Sequence, residues 1–76
     1  MTKLKSLYVS NNKLKSLSGI EKLIHLKTIN FEKNEISTLK YLENLEKMAH
    51  VNGNENSIKS LKGIRNLTKL KHLSLS

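Results

Sequence analysis

The chain has no cysteine, no aspartate, no long apolar run and very little aromatic side chain, with two tyrosines and one phenylalanine in 76 residues. Each absence excludes something. Without cysteine there is no disulfide framework, no thiolate zinc site and no cysteine nucleophile, and a chain this small must hold together by its apolar core alone. Without aspartate, and with no serine placed beside a histidine and a carboxylate, a hydrolase triad has no candidate. No membrane span and no positive-then-apolar leader are visible in the sequence, which suits an intracellular protein, cytoplasmic or nuclear. The three glycines form no phosphate-cradling loop. The scarcity of aromatics leaves little surface for stacking nucleobases.

Positive charge is what the composition has in excess. Fourteen Lys and Arg stand against six Glu, for a net charge of +8, a balance that favours an acidic partner, protein or nucleic acid. Along the sequence the cations are scattered rather than blocked. Lys15, Lys22, Lys40, Lys47, Lys59, Lys62, Lys69 and Arg65 are interleaved with Glu21, Glu43 and Glu46. With no clustered stripe visible, binding to nucleic acid or another anionic surface ranks below protein binding.

The strongest signal is a period of 22 residues. Leu4, Leu26, Met48 and Leu70 form one series; Leu7, Ile29, Val51 and Leu73 another; Asn12, Asn34 and Asn56 a third. Leu14, Leu17, Ile20 and Leu23 have counterparts in Ile36, Leu39, Leu42 and Leu45, and again in Ile58, Leu61, Ile64 and Leu67. A fixed period of this length means stacked supersecondary units, none of which can bury its apolar face alone. The units run about 4–25, 26–47 and 48–69, with a partial unit at 70–76.

Within a unit the L-x-L step (Leu7–Val9, Ile29–Phe31, Val51–Gly53, Leu73–Leu75) alternates with period two, as in a strand with one buried face. Such strands stack into a parallel ladder. The Asn that follows lies where the chain turns out of the strand, its amide able to bond turn backbone groups and successive Asn side chains able to form a buried ladder. Beyond it the apolar residues recur every third position, which favours a 3₁₀ or extended return leg over an α-helix. Gly19 and Gly63 would ease the path into that leg, although Tyr41 holds the same slot in the middle unit.

The segments from Asn12 to Leu23 and from Ser57 to Leu67 resemble leucine-rich repeats of the 22-residue subclass, typified by the leucine-rich regulatory subunit of protein phosphatase one and by bacterial internalins. The resemblance covers nearly the whole chain. It implies an α/β solenoid, a short right-handed superhelix with a parallel sheet on its concave face and 3₁₀ or irregular legs on its convex face. It also implies a non-catalytic scaffold that binds protein, with a phosphatase catalytic subunit as one candidate partner. Family members usually carry more repeats and polar caps. This chain begins almost on a strand at Leu4 and stops inside one at Ser76, which suits either a segment of a longer solenoid or a short protein whose open ends self-associate.

In such a fold alternate strand residues point outward. The candidate partner-binding face is therefore Lys5, Ser6, Tyr8, Ser10, Lys27, Thr28, Asn30, Glu32, His50, Asn52, Asn54, Lys71, His72 and Ser74, with Tyr8 as the best single anchor. His50 and His72 share a column on adjacent strands, about 4.8 Å apart. Two imidazoles fall short of the three or four ligands a zinc site takes, and Ser6 and Thr28 in the same column are poor ligands, so the pair reads as solvated, with a pH-sensitive contact as the milder alternative. Glu43 and Glu46 read as surface charge rather than an acid–base pair. Asn66-Leu67-Thr68 matches a glycosylation acceptor, which chance explains in the absence of a leader.

No cofactor, metal or catalytic residue is expected, and the chain reads as a protein-interaction module rather than an enzyme. The alternatives are a basic binder of nucleic acid or an anionic surface, and a structural module that self-associates through its ends. One local expectation concerns Gly53, which falls where Val9 and Phe31 point into the core. Read as a gap filled by neighbours, it predicts that Gly53→Leu raises the melting temperature; a bulge at Asn52–Asn54 is the alternative.

Overall fold

The structure, a computed structural model, describes residues 3–65 and 67–76. Four three-residue strands, β1 (Ser6–Tyr8), β2 (Thr28–Asn30), β3 (His50–Asn52) and β4 (His72–Ser74), form one parallel sheet in the order β1-β2-β3-β4. Their register follows the 22-residue step without a slip: Leu7 pairs with Ile29, Ile29 with Val51 and Val51 with Leu73. Three 3₁₀ turns alternate with the strands, η1 (Ile20–Lys22), η2 (Lys40–Leu42) and η3 (Lys62–Ile64). Parallel strands need a crossover, and here each crossover is a leg built around one such turn.

The turn out of each strand is made by two neighbouring residues. Asn11, Lys33 and Glu55, spaced by the same 22-residue step, adopt φ of 61°, 59° and 58°. A left-handed backbone costs a non-glycine residue roughly 1–2 kcal/mol. The asparagine that follows offsets that cost. The Asn34 amide donates to the carbonyls of Phe31 (2.8 Å) and Glu32 (3.2 Å) in its own turn and to Val9 (2.9 Å) in the preceding unit. Its Oδ1 accepts from the Asn12 and Leu14 backbones at 3.0 and 2.8 Å. Asn56 repeats the arrangement on Phe31, Gly53, Asn54 and Ile36. The ladder is thus Asn to backbone rather than Asn to Asn, and of the three only Asn34 is fully buried, at 7 % exposure.

The legs start on a hydroxyl column. Ser16, Thr38 and Ser60 accept the backbone N–H two residues on, from Ser18, Lys40 and Lys62, at 3.0–3.2 Å. After it, η2 and η3 occupy equivalent positions, whereas η1 comes two residues late. The cause is Gly19, which sits at φ 105° before η1 and donates its N–H to the Glu21 carboxylate at 2.7 Å. Gly63 has a different role from the one its spacing suggests. It lies inside η3, and a Cβ there would run into the Leu39 carbonyl oxygen, so close approach of the third leg to the second, not conformational freedom, requires glycine.

The core runs between sheet and legs and is densest in the middle of the stack. Leu26, Ile29, Phe31, Ile36, Leu39, Leu42, Leu45 and Met48 are all essentially inaccessible. The Phe31 ring occupies the space under Gly53: a Cβ on Gly53 would fall 2.5 Å from Phe31 Cε2 and 2.9 Å from Leu75 Cδ2. No bulge re-aims β3, because Asn52 pairs with Ser74 in register and Gly53 N–H continues to the Ser74 carbonyl at 2.8 Å. The gap is filled by neighbours, but so fully that no room remains for a larger residue. The expectation that Gly53→Leu stabilises the protein is therefore reversed.

Candidate functional site

Because the strands alternate, the residues flanking each inward Leu7, Ile29, Val51 and Leu73 face outward, and the register stacks them into columns. Ser6, Thr28, His50 and His72 form one column; Tyr8, Asn30, Asn52 and Ser74 form the other. Tyr8 stands 68 % exposed on the edge strand β1 and is the one tyrosine of this face. The face is otherwise neutral and hydrogen-bonding. Lys5, Lys27 and Lys71, with Ala49 in the same row, sit one residue before the strands, exposed at their margin.

His50 and His72 are stacked, with ring centroids 4.9 Å apart and planes 12° from parallel. The pair is a flat ledge at the β3–β4 end of the face. It contributes two imidazoles, and among the described residues no group of three His, Cys, Asp or Glu side chains is placed to hold a metal ion.

The asparagines divide by what they already bond. Asn30 Oδ1 accepts the Glu32 N–H at 3.1 Å and Asn52 Oδ1 accepts the Asn54 N–H at 3.3 Å, so each steadies the turn after its strand. Their amide nitrogens have no partner among the described residues and face outward as donors. Asn54 is different: its Oδ1 accepts from Ser74 Oγ (2.8 Å), Ser76 N (2.8 Å) and Ser76 Oγ (3.0 Å). It ties β4 to β3. Asn54 and Ser74, both expected on the binding face, therefore spend polar atoms on each other. Ser10 and Glu32 lie partly buried in the turns beyond the strands.

Away from the face, Glu43 and Glu46 line a shallow hollow of about 480 Å³ with Asn44, Thr68 and Lys69. Asn66, the acceptor in the glycosylation-like triplet, lies outside the described residues. Four of the cations that are scattered along the sequence are brought together by the fold: Lys27, Lys47, Lys69 and Lys71 line a single open hollow of about 560 Å³. Applying the 22-residue step to charge as well as to leucine would have exposed this, since residues 3, 25, 47 and 69 are Lys, His, Lys and Lys.

The comparisons agree with this architecture. A family profile described as Leucine Rich repeats (2 copies) matches residues 2–47, and the chain belongs to the leucine-rich-repeat family. The crystal structure of an internalin (inlF) from Listeria monocytogenes superposes with a TM-score of 0.89 at 32 % identity, over 95 % of this chain and 21 % of that one. An internalin C2 from the same organism also superposes at 0.89, with 22 % identity over 99 % of this chain and 35 % of that one, a likeness of fold. This chain thus spans about a fifth to a third of the length of these internalins. No curated protein sequence gives a significant match. Among the described residues no helix is long and apolar enough to cross a membrane.

Proposed function

We propose that the chain is a non-catalytic protein-binding module that engages its partner through the outward columns of the sheet. Leucine-rich-repeat proteins generally mediate protein–protein interactions. The observation that carries the reading here is the unbroken register, which sets Ser6, Thr28, His50 and His72 beside Tyr8, Asn30 and Asn52 on one surface. Short side chains with few rotamers on a fixed backbone lose little entropy on binding, and Tyr8 supplies the amphipathic anchor. The comparisons carry no support for a phosphatase catalytic subunit as the partner.

The test is affinity capture from nuclease-treated lysate, comparing the wild type with the triple variant Tyr8→Ala, Lys27→Glu, His50→Ala at low and high salt. A defined protein retained at high salt and lost with the variant supports the strand face. Capture unchanged by the variant removes the site to another surface, and capture abolished by nuclease moves the reading to nucleic acid. A second reading, self-association through the ends of the stack, draws on Leu61 before η3 and Leu73 in β4, which stand 52 % and 40 % exposed. Light scattering decides it: a mass independent of concentration excludes it.

A further inference from the structure

The step that aligns the leucines also aligns charge. Two columns lie side by side where each leg passes into its strand: Lys3, His25, Lys47 and Lys69 in one, Lys5, Lys27, Ala49 and Lys71 in the other. The backbone ladder fixes the second. Lys27 and Thr28 donate to the Lys5 carbonyl, Ala49 and His50 to that of Lys27, and Lys71 and His72 to that of Ala49, all at 2.8–3.0 Å. The first is fixed at its centre by Lys47, whose Nζ donates to His25 Nδ1 at 3.0 Å. An ammonium group cannot accept, so the imidazole does.

Neither column contains a carboxylate. Six lysines therefore border one margin of the sheet, and four of them surround the 560 Å³ hollow floored by Ala49 and Leu70. Ala49 matters here: it breaks the lysine column where a long side chain would fill the hollow. Like charges gathered in this way repel one another, and a ligand that neutralises several at once removes the repulsion.

The dimensions and surroundings select among anions. Four rungs at about 4.8 Å make the strip roughly 14 Å long, the reach of about four extended residues. A nucleic acid held over that length would place only two or three phosphates on it, too few for backbone charge alone to hold it at physiological salt. Arginine, the residue suited to forked phosphate contacts, is absent from the strip, and Tyr8 sits across β1 from it. The surface that continues from the strip is instead the polar, hydrogen-bonding face of Thr28, His50, Asn30 and Asn52, which suits peptide groups. We propose that the strip docks an acidic, Glu- or Asp-rich extended segment of the protein partner. The inference rests on the protein-binding reading above and adds the partner's charge.

The experiment uses the full chain and two fluorescent probes, a twelve-residue oligoglutamate peptide and a twelve-nucleotide oligothymidylate, titrated by anisotropy at low and physiological salt. Lys47→Glu with Lys69→Glu is compared with Lys15→Glu and Lys59→Glu, exposed lysines on the legs whose reversal changes net charge equally. Circular dichroism checks the fold of both. The strip variant is expected to bind oligoglutamate at least tenfold more weakly than wild type, the leg variant within about threefold. If the strip variant fails to fold, Lys47→Gln with Lys69→Gln replaces it, with a loss of threefold or more expected. Equal weakening by both pairs, no binding of oligoglutamate, or tighter binding of the oligothymidylate at physiological salt each overturns the proposal. Neither Lys47 nor Lys69 belongs to the Tyr8, Lys27, His50 variant. Lys27 belongs to both, so the distinction rests on Tyr8→Ala with His50→Ala: a strip that fails while partner capture still depends on that pair overturns this inference alone.

Discussion

Residues 4–25 and 26–47 carry the same apolar pattern and meet different fates. Leu26 is inaccessible and Leu4 is 45 % exposed; Ile29 and Phe31 are inaccessible, whereas Leu7 and Val9 are half-buried. Asn34 is buried and its side chain bonds to two units, whereas the exposed Asn12 side chain donates only to Val9 and Ser10 in its own turn. The chemistry of the two units is nearly identical. What differs is that the second has a neighbour on both sides and the first on one. In a stack, burial belongs to the interface between units more than to any unit, and stability is close to a sum over such interfaces.

The largest break in this comparison comes from its largest fully buried side chain. Phe31→Ala should cost about 3–5 kcal/mol, as for other buried aromatic truncations, whereas Val9→Ala at the equivalent half-buried position should cost roughly 1 kcal/mol. A domain of this size is stable by roughly 4–11 kcal/mol in all. Urea denaturation should therefore show Phe31→Ala close to the limit of folding and Val9→Ala with a modestly lower midpoint. Equal losses would mean that the outer unit is covered in solution.

Next comes the packing of Phe31 under Gly53. Gly53→Leu should destabilise by about 1–3 kcal/mol through overpacking, and Phe31→Val added to it should recover part of that loss by making room. The double-mutant cycle measures the coupling. Strict additivity would show that the ring and the glycine do not share one space. The smallest effect separates the two asparagines. Asn34→Ala removes a buried amide and leaves the Leu14 N–H without its acceptor, for about 2 kcal/mol; Asn12→Ala, on the open side, should cost about 0.5–1 kcal/mol. Thermal melts of the pair check the order, and a larger loss for Asn12→Ala would refute the dependence on neighbours.

Much of this was legible because the repeat states it four times over. Strand positions, the inward column of Leu7, Ile29, Val51 and Leu73, the polar columns beside it and the adjacency of His50 and His72 all follow from period and alternation, which are local properties of the chain. What was not legible depends on contacts between units. Gly63 marks the slot where one leg touches the next, and spacing alone suggested a flexible turn. Gly53 looked like a deficit because the ring that fills it lies 22 residues earlier. The hydroxyl column of Ser16, Thr38 and Ser60 was periodic yet chemically ordinary until the N–H groups it accepts were placed. Asn54 belonged to the outward set by alternation, but its carbonyl is held by the serines of the last strand.

The amino-acid sequence by itself determined the class of fold, the register of the sheet and which residues face out, because a period of 22 with one buried face per strand has a single parallel stacking solution. Only the tertiary structure decided how deeply each equivalent position is buried, which glycines are space and which are hinge, and that lysines many residues apart share one margin. Those are properties of neighbouring turns of the solenoid. Side chains a full repeat apart in the chain come within about 5 Å in space, and packing and charge act through that distance.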